Sequence, residues 1–355
     1  TENGITSVDR VNKVYTHYNS KIASHFGDEV TAIIEDRQGN MWFGYYDLGI
    51  TVFNPETQKV SFFKHDPSNT NSIPHNRIRE FFLDSKGNIW IGTQQGIAVY
   101  SPPTGKFLRF KHDVNDAKSL AHNRIYDIFE DSNRQIWVGT RGGGVHRFNK
   151  DEQNFDRYLH EPNNPTSLSH NRVYSIDEDS RGNIWVSTKG GLNKLDIKSG
   201  QFEHFRERDG IPNDTVNAVI VDKYDKVWIS TNVGIARIDQ DSGEISLFNE
   251  NDGLQSNEFN THVFFKSKSG ELMFGGINGV TTFFPQDIKY NKSLAKPTLT
   301  DFLVFNKSIF DEVFENSVNN EQKFNGSVEL NHNQTMFTVA FSGLHFVNPS
   351  SNRFR

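Results

Sequence analysis

Hydrophobic and polar residues alternate in short runs along most of this 355-residue chain, with the period of two that belongs to strands. Residues 122–161 show the unit: HNRIYDIFED, QIWVGT, GVHRFNK and NFDRYLHE, each rich in β-branched and aromatic residues and separated by Asn, Gly and Asp. This predicts four strands, a to d. The unit recurs. Tryptophan stands at Trp42, Trp90, Trp137, Trp185 and Trp228, with gaps of 48, 47, 48 and 43 residues, and GELMFGG at 270–276 puts Met273 in the same column. Periods of roughly 40 to 50 residues built from four short strands predict propeller blades. The expected fold is all-β.

In strand b, Trp90 and Gly92 face one side while Ile89, Ile91 and Thr93 face the other. Both faces are apolar, so the strand belongs inside a stack of sheets. Burying a Trp removes roughly 150 to 250 Å² from water, which assigns these residues to the core rather than to a sugar platform. Six residues before each Trp stands an Asp (Asp36, Asp84, Asp131, Asp179, Asp222), replaced by Ser267 in the last copy. A carboxylate there caps a tight a–b turn. The alternating oxygen ligands of a calcium loop are absent. Aromatic columns in strand d, such as Phe107 and Phe110, are expected to pack.

Residues 4–18 align with 96–110, placing Gly4 on Gly96, Tyr15 on Phe107 and Tyr18 on Phe110. The expected organisation is therefore a half repeat (1–20), then six repeats at 26–65, 74–112, 121–160, 169–206, 212–249 and 257–285. That is material for about seven blades, if two further strands complete the half repeat. Residues 286–355 lose the period and read as strands near 298–306, 327–332 and 336–346. They begin a sandwich-like segment or supply ring-closing strands.

Charge and cysteine content narrow the classes. The net charge is −6 with no block of clustered Lys and Arg, which argues against nucleic acid. With no cysteine, disulfides and thiolate metal sites are excluded, and an oxidising compartment is allowed. No run of about 18 apolar residues suggests a membrane span, so no membrane contact by these residues is expected.

The phrase V/I-x-x-I-x-E-D-S-x-G-N-I-W-I-G-T-x-x-G-I, as at 30–50, 78–97 and 173–192, closely resembles the two-component-regulator propeller repeat over about residues 1–285. ELMFGGINGVTTFFPQDI resembles that family's typical last repeat, and PTLTDFLVFNKS resembles the start of its triple-tyrosine domain. The resemblance implies the periplasmic sensor region of a membrane receptor, working as a dimer, whose output module is a histidine kinase or a diguanylate cyclase. In several members the ligand is an oligosaccharide. No cofactor is implied.

Candidate ligand residues sit on the loops that meet near a propeller's axis. The d–a loops end in His-Asn-Arg three times: His75, Asn76, Arg77; His122, Asn123, Arg124; and His170, Asn171, Arg172. These could present donors to a hydroxyl-rich or anionic ligand. Alternatively, Asn closes a turn while Arg or His braces the adjacent blade. A three-His metal site has weaker support. The b–c loops add Tyr45 and Tyr46 as stacking aromatics and Arg141 and Lys189 as partners for a uronate or sulfate, with a plain solvated surface as the alternative.

The expected function is binding of a small polar ligand without turnover, since no catalytic or metal motif is visible. Two other classes stay open at this level: a propeller enzyme of lyase or lactonase type, and a protein-binding scaffold.

Overall fold

The structure, a computed structural model, describes residues 4–19, 26–288, 297–308, 330, 332–333 and 335–343. The chain divides into two compact units, Thr1–Asp287 and Ile288–Arg355.

In the first unit, five repeats each form a four-stranded antiparallel sheet in the order a-b-c-d. Blade three is representative: its strands run Ile125–Glu130, Ile136–Thr140, Val145–Asn149 and Asn154–Tyr158. The first strands of successive blades pack against one another, so strand a is the inner strand and d the outer. The half repeat gives a two-stranded sheet, Ile5–Asp9 with Val14–Tyr18. The sixth repeat differs from the four strands expected of it. It forms three, Phe259–Lys266, Leu272–Gly276 and Gly279–Phe283, before a 3-10 turn at Pro285–Asp287. Arg10, in the half repeat's turn, pairs with Glu271 of the sixth repeat at 2.8 Å.

Strand b is buried at every position in blades two, three and four. The five Trp are 0–4% exposed, as their place between apolar faces requires. Each stands against an aromatic residue from the end of its own blade's strand d, for example Trp42 on Phe63 at 5.4 Å and Trp228 on Phe248 at 5.6 Å. Not all of the strand d aromatics pack this way: Phe62 points outward and is exposed.

Two devices join the blades. At the start of strand c, a backbone N–H donates to a carbonyl in the next blade's d–a loop: Gly49 to Asn76, Gly96 to Asn123, Gly144 to Asn171 and Gly234 to Asn257. Gly96 has φ 106°, and a Cβ there would lie 2.3 Å from the Phe110 carbonyl oxygen, so the hairpin requires glycine. Along the inner strands, side chains bond the next blade's backbone. Asp127 accepts from Ile176 N–H at 2.6 Å, Ser175 from Val219 N–H at 2.7 Å and Asp177 from Val221 N–H at 2.8 Å.

In the second unit, Pro297–Val304 lies between Lys307–Ser308 and Phe337–Gly343 in a three-stranded antiparallel sheet. The strand expected near 327–332 lies largely outside the described residues.

Candidate functional site

The topology sets the site's location. Strand a runs from the d–a loop to the a–b turn and strand b returns, so the d–a and b–c loops share one end of every sheet. All six inner strands carry a register shift near this end, such as that between Ile78 and Glu80. Such a bulge re-aims the side chains that follow it.

The His-Asn-Arg loops are firmly built. Asn76, Asn123 and Asn171 each accept, through the side-chain oxygen, the N–H of a His eleven residues earlier, at 2.6–2.7 Å. Ile73, Leu120 and Leu168 plug the same loops and are fully buried. His75, His122 and His170 each accept, at Nδ1, the N–H of the Arg two residues on, at 2.8–3.0 Å. Burial first, then cations nearby (Arg77, Arg141 and Lys189 respectively), lowers the affinity of all three imidazoles for a second proton. They are therefore neutral rings carrying the proton on Nε2, not cations.

The Arg residues reach back to the preceding blade. Arg77 lies over the Tyr46 ring at 3.7 Å and pairs with Asp47 at 3.2 Å. Arg124 donates to Gln94 Oε1 at 2.7 Å, and Arg79 donates to the same oxygen at 3.3 Å. Arg141 and Lys189 hold the matching b–c position in blades three and four, their N–H groups bonded to the Arg124 and Arg172 carbonyls. The mouth beside blades two to four is thus cationic. Burial, with the Arg77 and Arg141 charges, lowers the hold of Arg79 on its proton. Nε of Arg79 and of Arg172 is buried and unpartnered among the described residues.

Tyr45 does not belong to this surface. Its side chain, only 1% exposed, packs with Phe26 and Phe43, because it ends a strand b whose last position points into the blade. The expectation of a stacking aromatic therefore fails there. Tyr46 is half-exposed, with one face covered by Arg77.

Deeper along the inner strands, Glu80, Asp127 and His262 converge from blades two, three and six, with donor atoms all within 4.8 Å of one another. His262 Nε2 is 2.8 Å from Glu80 Oε2 and its Nδ1 is 2.7 Å from the Tyr174 carbonyl. Burial disfavours the charged ring, but the Glu80 hydrogen bond and the Glu80 and Asp127 charges outweigh it and hold His262 at about 9. Burial pushes Asp127 up to about 7, partly offset by His262. Nearby, Lys266 donates to Asp177 at 3.1 Å. The sequence reading missed this group. One signal existed: along a column of small residues, Ala32, Ser175 and Ala218, two positions carry the carboxylates Glu80 and Asp127.

Four stretches, 24–47, 72–95, 119–142 and 167–190, match the family model for the two component regulator propeller. Over 348 residues the chain is 26% identical to Histidine kinase P4 of Formosa agariphila, spanning 95% of this chain but only 22% of that protein. Among solved structures, the extracellular domain of a hybrid two-component system protein of B. thetaiotaomicron aligns with a TM-score of 0.72 at 23% identity, over 98% of this chain and 45% of that one. PorZ of the Porphyromonas gingivalis type-IX secretion system aligns with a TM-score of 0.59 at 18% identity, covering 77% and 42%. Virginiamycin B lyase of Staphylococcus aureus aligns at 0.52 and 17%, covering 74% and 85%. At these identities the structures establish a shared fold, and the chain spans less than half the length of the two-component proteins it matches. The fold is a β-propeller, and four of its repeats match the two component regulator propeller model.

Proposed function

We propose that this propeller is the extracytoplasmic signal-input domain of a membrane receptor of two-component type, and that it binds a small anionic or hydroxyl-rich ligand, such as a charged oligosaccharide, without turning it over. The observation that carries the ligand class is the mouth beside blades two to four. There Arg79 and Arg124 share the Gln94 side-chain oxygen, the Arg77 and Arg141 charges act on Arg79, Arg172 and Lys189 stand beside His170, and two buried guanidinium nitrogens, those of Arg79 and Arg172, lack a partner among the described residues. A buried unsatisfied donor costs about 1–3 kcal/mol, which a planar carboxylate or sulfate would relieve through paired N–H donors. The likeness to the extracellular domain of a two-component protein supports the receptor setting.

Residues 286–355 form the start of the triple-tyrosine domain in this reading, and the receptor signals as a homodimer in which ligand shifts the population of dimer arrangements. The output module is a histidine kinase, in keeping with the Formosa agariphila relative, or a diguanylate cyclase. Calorimetry with uronate and sulfated oligosaccharides, alongside mass spectrometry of the sugar, tests the proposal. Saturable binding that weakens at least tenfold in Arg79→Ala or Arg172→Ala, with the sugar unchanged, supports it. Cleavage of the sugar would point to a lyase. Failure of every anionic and neutral sugar to bind would leave a protein-binding scaffold as the better reading.

A further inference from the structure

We infer that Glu80, Asp127 and His262 form a site for one divalent first-row transition metal ion inside the channel, separate from the ligand at the mouth. The three residues lie 47 and 135 positions apart along the chain, and their donor atoms fall within 4.8 Å of one another. Their delivery depends on an irregular inner strand. In blade six Phe259 pairs with Gly276 and Phe264 with Phe274, so four residues, Asn260–Val263, lie opposite Gly275 alone. That excess carries His262 across the channel, with its backbone at φ 59°. In the other five inner strands the shift is a single residue, and none of them places a histidine at the centre.

The ring is oriented as a metal ligand would be. The Tyr174 carbonyl can only accept, so Nδ1 carries a proton and Nε2 is the atom aimed at the carboxylates. A second hydrogen bond of this kind fixes the tautomer and raises the basicity of the ligating nitrogen. Binding releases the Nε2 proton to solvent and replaces it with the cation. Asp127 is held from behind by the N–H groups of Ile128 and Ile176, and each carboxylate oxygen keeps a further lone pair for a metal. One imidazole and two carboxylates suit Zn²⁺, Mn²⁺ or Co²⁺ at bond lengths of roughly 2.0–2.2 Å. Glu80, at 24% side-chain exposure, has the freedom to close the remaining distance. The other role open to the cluster is a metal-free ion pair that only pins the inner strand of blade six.

The test uses the whole chain, stripped with chelator and titrated with Zn²⁺, Mn²⁺ and Co²⁺ by calorimetry, with Co²⁺ also followed by its d–d absorption. The expected result is one equivalent bound at micromolar or tighter affinity, a rise in Tm reversed by chelator, and at least a tenfold loss of affinity in His262→Gln and in the more exposed Glu80→Gln. Absence of saturable binding by the unaltered protein overturns the inference, and so does binding that Glu80→Gln leaves unchanged. Neither result depends on whether a sugar binds at the mouth.

Discussion

The indole N–H of Trp137 donates to Oδ2 of Asp131 at 2.9 Å, while Oδ1 of the same carboxylate accepts the N–H groups of Asn133 and Gln135. One carboxylate thus closes the a–b turn and satisfies the only polar atom of the largest buried side chain. The bond recurs at 2.8–3.0 Å in Trp42, Trp90, Trp185 and Trp228 with Asp36, Asp84, Asp179 and Asp222. In the sixth repeat Met273 has no N–H to satisfy, and Ser267 serves the turn alone by accepting from Glu271 N–H.

Removing that carboxylate strands a buried donor and loosens the turn. Asp131→Ala is expected to cost about 2–4 kcal/mol, since hydrogen bonds to charged groups contribute about 1.5–3 and an unsatisfied buried donor adds to the loss. Asp131→Ser combined with Trp137→Met, which removes the orphaned N–H and imitates the sixth repeat, should cost less than the two single changes summed. Denaturant unfolding of the four proteins measures the coupling.

His146 makes stability depend on acid. It is fully buried and accepts the Ala121 N–H on Nε2 at 2.9 Å, and burial pushes its ring down to about 3. The unfolded ring titrates near its ordinary 6.5, so between about 6.5 and 3 the unfolded state holds the extra proton. The contribution of His146 is then complete above about 6.5 and falls as pH drops through that window, by up to about 1.4 kcal/mol per unit. Asn193 does the same task in blade four, accepting Ser169 N–H at 2.8 Å. His146→Asn should therefore fold and should flatten this part of the Tm-versus-pH profile. An unchanged acid slope would place the sensitivity elsewhere.

Two glycines with left-handed backbones should respond differently to alanine. At Gly96 the added carbon meets the Phe110 carbonyl oxygen, whereas at Gly105, φ 64°, nothing lies within 4 Å. Gly105→Ala should cost only the conformational penalty of about 1–2 kcal/mol. Gly96→Ala should cost clearly more, because the c–d hairpin and the bond to Asn123 must shift. Thermal denaturation of both variants provides the comparison.

Tyr45→Phe separates packing from ligand binding. The Tyr45 hydroxyl is buried and has no partner among the described residues, so its removal should be neutral or stabilising by up to about 1–2 kcal/mol. Affinity for any ligand at the mouth should stay the same. A tenfold loss in calorimetry would mean that the Tyr45 hydroxyl takes part in binding after all.

The repeat phrase was legible because each strand advertises itself locally. Alternation around Trp137, the Asp131 turn and the hairpin glycine at Gly96 all act within a few residues, and a period near 48 can only be packed by stacking like units. The turn-closing role of Asn76, Asn123 and Asn171, offered as the alternative to ligand binding, was legible for the same reason. The indole bond to Asp131 was hidden only in part, since the fixed six-residue spacing was visible while its second partner was not.

Local pattern stops where the ring begins. Tyr45 and Tyr46 are adjacent and chemically alike, yet strand pleat and the neighbouring Phe26 bury one and leave the other under Arg77. Glu80, Asp127 and His262 share no motif and meet only because successive blades turn their inner strands toward one axis and a bulge in the last of them reaches across it. The sequence by itself determined the blade, because strand period, turn chemistry and Trp packing are properties of short segments. The tertiary structure alone decided the chemistry of the channel, because that chemistry depends on which side chains from separate blades face the same few cubic ångströms.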